Sequence, residues 1–187
     1  MKSTGYHPWF AHWIALTRPA SKESHYRDLL LGPSPKPGLE DAFARLLPDL
    51  PDPILLSDIL ASMRADLTAL PHAMVGEVGL DRSSLIPFGR PFSPPYALRY
   101  AERREMSPFT IPLAHQLPIL EAQLELAVEL RRNVSVHSVQ SQQATVELLG
   151  RMKARHGERW SAISVDMHSC GLSVETWRTL EVRAQLV

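Results

Sequence analysis

Apolar residues follow a helical spacing over residues 57–70 and then merge into a short continuous run. Ile59, Met63 and Leu67 fall on one helix face, and Ser57 stands where a side-chain cap is favoured. The run at 73–80, AMVGEVGL, has the length and unbroken apolar character of a buried strand. The pattern predicts a helix followed directly by a strand.

The same alternation continues along the chain. A helix is predicted over 115–130, with Leu120, Leu124 and Val128 in line and Pro118 in its first turn. A strand at 133–139, a helix at 141–157 and a strand at 161–171 follow. Strands that alternate with helices imply parallel strands and right-handed crossovers, so the order predicts an α/β fold. A barrel and an open doubly wound sheet both agree with it, although no GxGxxG motif follows a strand, which disfavours dinucleotide binding.

Two segments rich in proline interrupt this order, near 32–53 and 83–112. The first surrounds a short amphipathic piece, LEDAFARLL, and the second contains PFGRPFSPP. Proline at this density excludes a regular helix and a central strand. We therefore expect both segments to be insertions made largely of loop.

Composition limits the class of protein. The chain has 187 residues, 44% of them hydrophobic, and a formal net charge of zero, which suits one domain or a large part of one. Zero net charge gives no support for a general nucleic-acid-binding surface, although it leaves room for a local basic groove. The single Cys170 excludes an internal disulfide framework and suits a reducing compartment. No secretory signal or membrane-length apolar run is present, so we expect a cytoplasmic or nuclear protein.

Three polar residues recur at equivalent places in successive units. Glu77 lies near the end of its predicted strand, and His137 and His168 each end one. Active sites of parallel α/β folds gather at the carboxyl ends of the strands. A carboxylate within an apolar run is costly to bury unless it is paired or binds a metal. Two imidazoles and a carboxylate suit zinc or another divalent transition ion.

Each of these residues also has a purely structural explanation. A single histidine at a strand end is more often a hydrogen-bonded core residue than a ligand, and Glu77 could instead pair with Arg82. His12, surrounded by aromatic residues, is interpreted as structural, and Cys170 as a small buried residue. The metal site rests on three such residues recurring together.

The motifs GYHPWF, VGEVGLDR, EAQLELAVELRRNVSVHSV and DMHSCG occur in this order along the chain. In this respect the chain resembles the TatD family of metal-dependent hydrolases, and within it the fungal Cut-nine-interacting subgroup, over roughly residues 4 to 177. The resemblance implies a TIM-like (β/α) barrel and a divalent-metal hydrolase of phosphodiester bonds, typically a deoxyribonuclease. DNA or another phosphodiester would be the substrate, and the metal would be Zn, Mg or Mn.

The resemblance also assigns roles to the recurring residues. Glu77 matches the bridging metal-ligand glutamate, and His137 and His168 match the histidines that end the fifth and sixth barrel strands. The same three residues would be the catalytic set. His7 lies in the motif that ends the third strand, near the site but not usually a metal ligand.

The chain departs from the family pattern at both ends. The Asp-x-His-x-His motif of the first strand is absent, and no residue after His168 matches the aspartate of the eighth strand, for which Glu175 and Glu181 are poor substitutes. We therefore expect residues 1–187 to form a single incomplete barrel domain, about strands 3 to 6, with weak or no nuclease activity. The chain would then be a piece of a longer protein or a truncated gene product. A non-catalytic protein-interaction role is the alternative function.

Overall fold

The computed structural model describes residues 3–89, 105–171 and 178. Residues 90–104 of the second proline-rich segment, together with Glu175 and Glu181, lie outside the described residues.

The described strands are short, except for the one that carries the GEVGLD motif. They are β1 (Ser3–Thr4), β2 (Ile14–Ala15), β3 (Ile54–Leu55), β4 (Met74–Asp81), β5 (Leu85–Pro87), β6 (Met106–Thr110), β7 (Val134–Val139) and β8 (Val165–His168). The α-helices are α1 (Lys22–Leu30), α2 (Leu39–Leu46), α3 (Leu56–Ala69), α4 (Leu113–Leu130), α5 (Gln142–His156) and α6 (Glu158–Ser161). Two short 3₁₀-helices span Pro8–Trp13 and Leu47–Asp49.

Four parallel strands form the main sheet, in the order β1-β4-β7-β8. The helices α3, α4 and α5 connect or precede its strands, so the predicted α/β class and the parallel pairing are confirmed. Within the described residues the sheet does not close on itself, and β1 and β8 are its two outer strands. The carboxyl ends of β4, β7 and β8 lie side by side, with His137 in register with His168.

Two glycines of β4 allow this strand to approach β7 closely. A Cβ atom on Gly79 would lie 2.0 Å from the carbonyl oxygen of His137, and one on Gly76 would lie 2.8 Å from the Cβ of Ser135. Neither position tolerates a side chain without moving the strands apart. The glycines of the GEVG run therefore set the spacing of the two strands that carry Glu77 and His137.

The predicted helices form, but two local details were wrong. Ser57 lies inside α3, whose N-cap is Leu55, and the Ser57 hydroxyl donates to Asp58 instead of capping the helix. Pro118 lies beyond the first turn of α4, because the helix begins at Leu113. Proline has no backbone N–H, so α4 lacks one backbone hydrogen bond at Pro118, and the helix of 18 residues continues through this position.

The second proline-rich segment contains a pair of short strands that the sequence pattern did not predict. β5 and β6 pair there as an antiparallel ribbon, with Leu85 opposite Thr110 and Pro87 opposite Met106. Each strand of a two-stranded ribbon is an edge, so a proline can turn its missing N–H away from the partner. Proline density therefore excluded a central strand here but did not exclude a ribbon.

The core is one cluster of apolar side chains between the main sheet and its helices. Trp160, Tyr26 and Phe43 are its largest fully buried members. His12 and Cys170 are also buried, as expected for structural residues. No helix in the described part of the chain is long and apolar enough to span a membrane.

Candidate functional site

Glu77 lies at an irregularity in β4. The β4–β7 pairing is regular from Val78 onward, but the register shifts between Val75 and Val78. The Glu77 side chain is 61% exposed, so the prediction of a buried carboxylate was wrong. A bulge re-aims the side chain that it carries, and here the carboxylate reaches the open end of the sheet instead of the core.

Two histidines flank this carboxylate. The Nε2 atoms of His7 and His168 each lie 3.8 Å from Glu77 Oε2. Among the described residues Arg82 forms no ion pair with Glu77. The Glu77–Arg82 pair, which was the structural explanation for this glutamate, is therefore not present. The imidazoles, which come from different parts of the chain, are the immediate neighbours of Glu77.

His168 is oriented by a short hydrogen-bond relay. The Ser135 hydroxyl donates to Asp166 Oδ2 at 3.1 Å and lies 2.9 Å from His168 Nδ1. Because the single hydroxyl proton goes to Asp166, Ser135 accepts the Nδ1–H of His168. A neutral His168 then carries its lone pair on Nε2, which has no solvent contact and no hydrogen-bond partner within the described residues.

His137 lies beside the pair but faces another carboxylate. Its Nε2 atom is 3.3 Å from Asp81 Oδ2, and its side chain is buried. The ring centre of His137 lies 5.5 Å from that of His168 and 4.5 Å from that of His7. Burial lowers the pKa of His137, and the hydrogen bond and charge of Asp81 oppose that shift only in part.

Asp81 is the most fully hydrogen-bonded carboxylate of this region. Its Oδ1 atom accepts from the Ser83 amide and hydroxyl and from the Ser84 amide, at 2.8–2.9 Å. Its Oδ2 atom accepts from the Trp9 indole at 2.7 Å. Burial alone would raise the pKa of Asp81, but the bonds from Trp9, Ser83 and His137 outweigh it and the pKa is lowered. The ionised Asp81 therefore fixes His137.

Gln116 of α4 holds the backbone of Asp81 in place. Its side-chain oxygen accepts from the Asp81 amide, and its NH₂ group donates to the carbonyls of Asp81 and Ile111, all at 2.7–2.8 Å. A buried glutamine that satisfies both its groups on one strand end rigidifies that end. The helix thus positions the carboxyl terminus of β4.

His7 lies near Glu77 but is not hydrogen-bonded to it, because its Nε2 atom is 3.8 Å from Glu77 Oε2. Its Nδ1 atom accepts from the Trp9 amide at 3.2 Å, which leaves the proton of the neutral ring on Nε2, the atom facing Glu77. Burial lowers the pKa of His7 to about 4, and repulsion by His137 adds to the shift. A neutral ring with this tautomer has no lone pair on Nε2, the nitrogen nearer Glu77.

The structure thus brings Glu77, His137 and His168 to one end of the sheet but does not point all three at one atom. No group of three or more His, Cys, Asp or Glu side chains within the described residues is arranged so that it could hold a metal ion. The separation of Glu77 Oε2 and His168 Nε2, 3.8 Å, is one that a single ion can bridge. Two zinc–ligand bonds of about 2 Å span roughly 3.4–4.2 Å between tetrahedral and linear geometry.

Sequence reasoning missed the supporting residues of the site. Asp81 ends β4, and the strand-end argument that selected His137 and His168 applies equally to it. Trp9 directly follows the HP pair of the N-terminal motif. Ser135 and Asp166 left no signal in the sequence, because their role depends on the pairing of β7 with β8.

Comparison with known proteins gives one relative. The chain is 34% identical over 146 residues to Cut9-interacting protein scn1 of the fission yeast Schizosaccharomyces pombe (strain 972). The match covers 74% of this chain and 40% of the relative, so the chain spans less than half the length of that protein. No protein-family model matches the chain, and no solved structure matches it. The similarity is to a protein whose name describes an interaction with Cut9.

Proposed function

We propose that the chain carries part of a divalent-metal-dependent phosphodiester hydrolase site of the TatD type. The observation that supports this most directly is the buried Nε2 atom of His168. It has no hydrogen-bond partner within the described residues, its tautomer is set by Ser135, and it lies 3.8 Å from Glu77 Oε2. A lone pair and a carboxylate that face each other without a proton between them suit a shared cation.

The residues would divide the work as follows. Glu77 and His168 would hold the ion, and His137 would be the third ligand once its ring turns from Asp81. Ser135 and Asp166 orient His168, Asp81 holds His137 in its present orientation, and His7 lies 3.8 Å from the Glu77 carboxylate. A divalent ion bound there would activate water and polarise a phosphoryl oxygen. The family resemblance implies Zn, Mg or Mn as the metal, and titration decides among them.

The order of the main sheet supports an incomplete barrel. Within this sheet each strand is followed by the next of its strands along the chain, although the separate β2–β3 pair lies between β1 and β4 in sequence. A barrel requires this sequential order, whereas a doubly wound sheet reverses direction at its switch point. We propose that the four strands correspond to strands 3 to 6 of a TIM-like barrel.

Metal titration calorimetry on the whole chain tests the proposed site. Zn²⁺, Mn²⁺ and Mg²⁺ are titrated into the native protein and into the Glu77→Ala, His137→Ala and His168→Ala variants. We expect one ion per chain for the preferred metal, with binding lost in Glu77→Ala and His168→Ala. His72→Ala is the matched control, because His72 is exposed in the turn before β4, at the opposite end of the strand from the site.

The outcome that contradicts the proposal is a folded chain that binds none of the three metals. Binding that survives both Glu77→Ala and His168→Ala contradicts the assignment of ligands. Because the first-strand and eighth-strand ligands have no counterpart in this sequence, we expect DNA cleavage by the purified chain to be weak or absent. Robust metal-dependent cleavage, abolished by Glu77→Ala, would show that three residues are enough.

The alternative is a non-catalytic protein-binding role. The name of the fission yeast relative supports it. So does the finding that, in the described part of the chain, no three His, Cys, Asp or Glu side chains are arranged to hold a metal ion. Interferometry with purified Cut9 tests it. Affinity for Cut9 that Glu77→Ala and His168→Ala leave unchanged, in a chain without metal affinity, would favour this role. The single cysteine supports a cytoplasmic or nuclear location for either function.

A further inference from the structure

Trp9 combines high exposure with a fixed position. Its side chain is among the most exposed large hydrophobic groups of the described residues, at 44%. Its indole Nε1–H nevertheless donates to the buried carboxylate of Asp81 at 2.7 Å. An exposed tryptophan normally has no such anchor, so the ring is held in one place while much of its surface stays open to solvent.

The ring is also held at its edge by the histidines of the candidate site. The ring centre of Trp9 lies 4.8 Å from that of His7, with an interplanar angle of 73°, and 6.3 Å from that of His137. Both contacts are edge-to-face, a favourable geometry for aromatic pairs. The indole therefore packs against His7, whose Nε2 atom lies 3.8 Å from Glu77 Oε2.

These contacts determine what the ring can still offer to a ligand. The only polar group of the indole is already bonded to Asp81, so the exposed part of Trp9 is an apolar π surface. Because the ring is ordered in advance, a ligand that stacks on it pays little further entropy for the side chain. Nucleobases stack on such surfaces whatever their sequence, because every base has a π face.

We propose that Trp9 is the stacking platform for a nucleobase adjoining the phosphodiester that the site acts on. This inference rests on the proposed hydrolase function and names its substrate as a nucleic-acid strand whose base is free to stack. A nucleotide joins an anionic phosphate to a planar base through one sugar. That arrangement matches a candidate cation site with an anchored aromatic face beside it.

Two substitutions of the same residue isolate the π surface. Trp9→Phe keeps an aromatic face, whereas Trp9→Leu keeps only apolar bulk, and both lose the hydrogen bond to Asp81. Each variant is titrated, with zinc present, into a fluorescein-labelled thymidine tetramer and into a labelled tetramer of the same backbone without bases. Fluorescence anisotropy gives the affinity for each of the two tetramers. Leu70→Ala is the control, since Leu70 is an exposed apolar residue after α3, at the opposite end of the sheet.

We expect the native chain and the Leu70→Ala control to prefer the base-containing tetramer by roughly 5- to 150-fold, the factor that one stacked base contributes. Trp9→Phe should keep most of this preference and Trp9→Leu should lose it. Equal binding of the two tetramers by the native chain overturns the inference, as does a preference that persists in Trp9→Leu. If the native chain binds neither tetramer, the inference is also overturned, and the exposed Trp9 ring is then better explained as part of a protein-binding surface. Failure of the proposed function is seen separately, as the absence of metal in the calorimetric titration.

Discussion

At the scale of single residues, Ser135 gives the sharpest test of how His168 is held. The Ser135 hydroxyl accepts a hydrogen bond from the Nδ1–H of His168 and donates one to Asp166. In Ser135→Ala the imidazole loses the bond that fixes its tautomer and ring angle. We expect affinity for the preferred metal, measured by calorimetry, to fall about 10- to 100-fold, the usual effect of losing a ligand's hydrogen-bond partner.

Ser57→Ala is the control for this prediction, since Ser57 is an exposed residue of α3 that bonds only its neighbour Asp58 among the described contacts. Its metal affinity should equal that of the native chain. An unchanged affinity in Ser135→Ala, together with binding lost in His168→Ala, would mean that His168 binds metal without help from the relay.

The candidate ligands could be found from the sequence, but their orientations could not. Glu77, His137 and His168 were selected because parallel strands bring their carboxyl ends together, and the fold places all three at that edge. The direction of the His137 ring depends on Asp81, and the exposure of Glu77 depends on a register shift. Neither feature leaves a pattern in residue spacing, because both arise from how neighbouring strands meet.

At the scale of the elements, the close contact of β4 with β7 makes a prediction about two glycines. In Gly79→Ala the new Cβ would lie 2.0 Å from the carbonyl oxygen of His137, and a backbone atom cannot move aside as a side chain can. We expect the variant to lose at least about 1–3 kcal/mol of unfolding free energy, as overpacked sites do, or to fail to fold. Urea denaturation measures the loss.

Gly150→Ala is the matched control, because Gly150 lies inside α5 and a Cβ there meets no atom within 4 Å. Alanine is the better helix former, so this variant should gain about 0.5–1 kcal/mol. If Gly79→Ala is as stable as the native chain, the spacing of β4 and β7 is not set by this glycine.

The sequence predicted which long helices and strands form better than it predicted their details. The long helices α3, α4 and α5 and the strands β4 and β7 carry strong periodic or continuous apolar patterns, and they form as predicted. The β5–β6 ribbon was missed because its strands are short and contain proline. Its pairing joins residues on either side of a long insertion, and a local window contains no trace of that contact.

At the scale of the whole molecule, alternation of helix and strand was enough to predict the parallel sheet. It was not enough to decide how the sheet is completed, since a barrel and an open sheet begin with the same units. The order of the four strands, β1-β4-β7-β8, belongs to the fold and not to any one segment. The geometry of the candidate site also depends on the strand order, because its candidate ligands come from strands that are adjacent only in the folded sheet.

The stability of the whole molecule should depend on pH through His12. This histidine is buried in the core, near His25 of α1 and His115 of α4, and its ring also contacts Tyr26 and Trp13. Burial lowers its pKa from 6.5 to about 3, and repulsion by the two other histidines adds to the shift. The unfolded chain therefore takes up a proton below about pH 6.5 that the folded chain refuses.

A depressed histidine pKa makes a contribution that is complete above pH 6.5 and is lost as the pH falls toward 3. One such group lowers the unfolding free energy by about 1.4 kcal/mol per pH unit, or about 2 kcal/mol between pH 7 and pH 5. Urea denaturation across this range should show His12→Gln with a shallower dependence than the native chain by that amount. Carboxylates that titrate near pH 5 are common to both proteins, so they cancel in the difference. Parallel curves for the two proteins would mean that His12 takes up its proton in the folded state as readily as in the unfolded one.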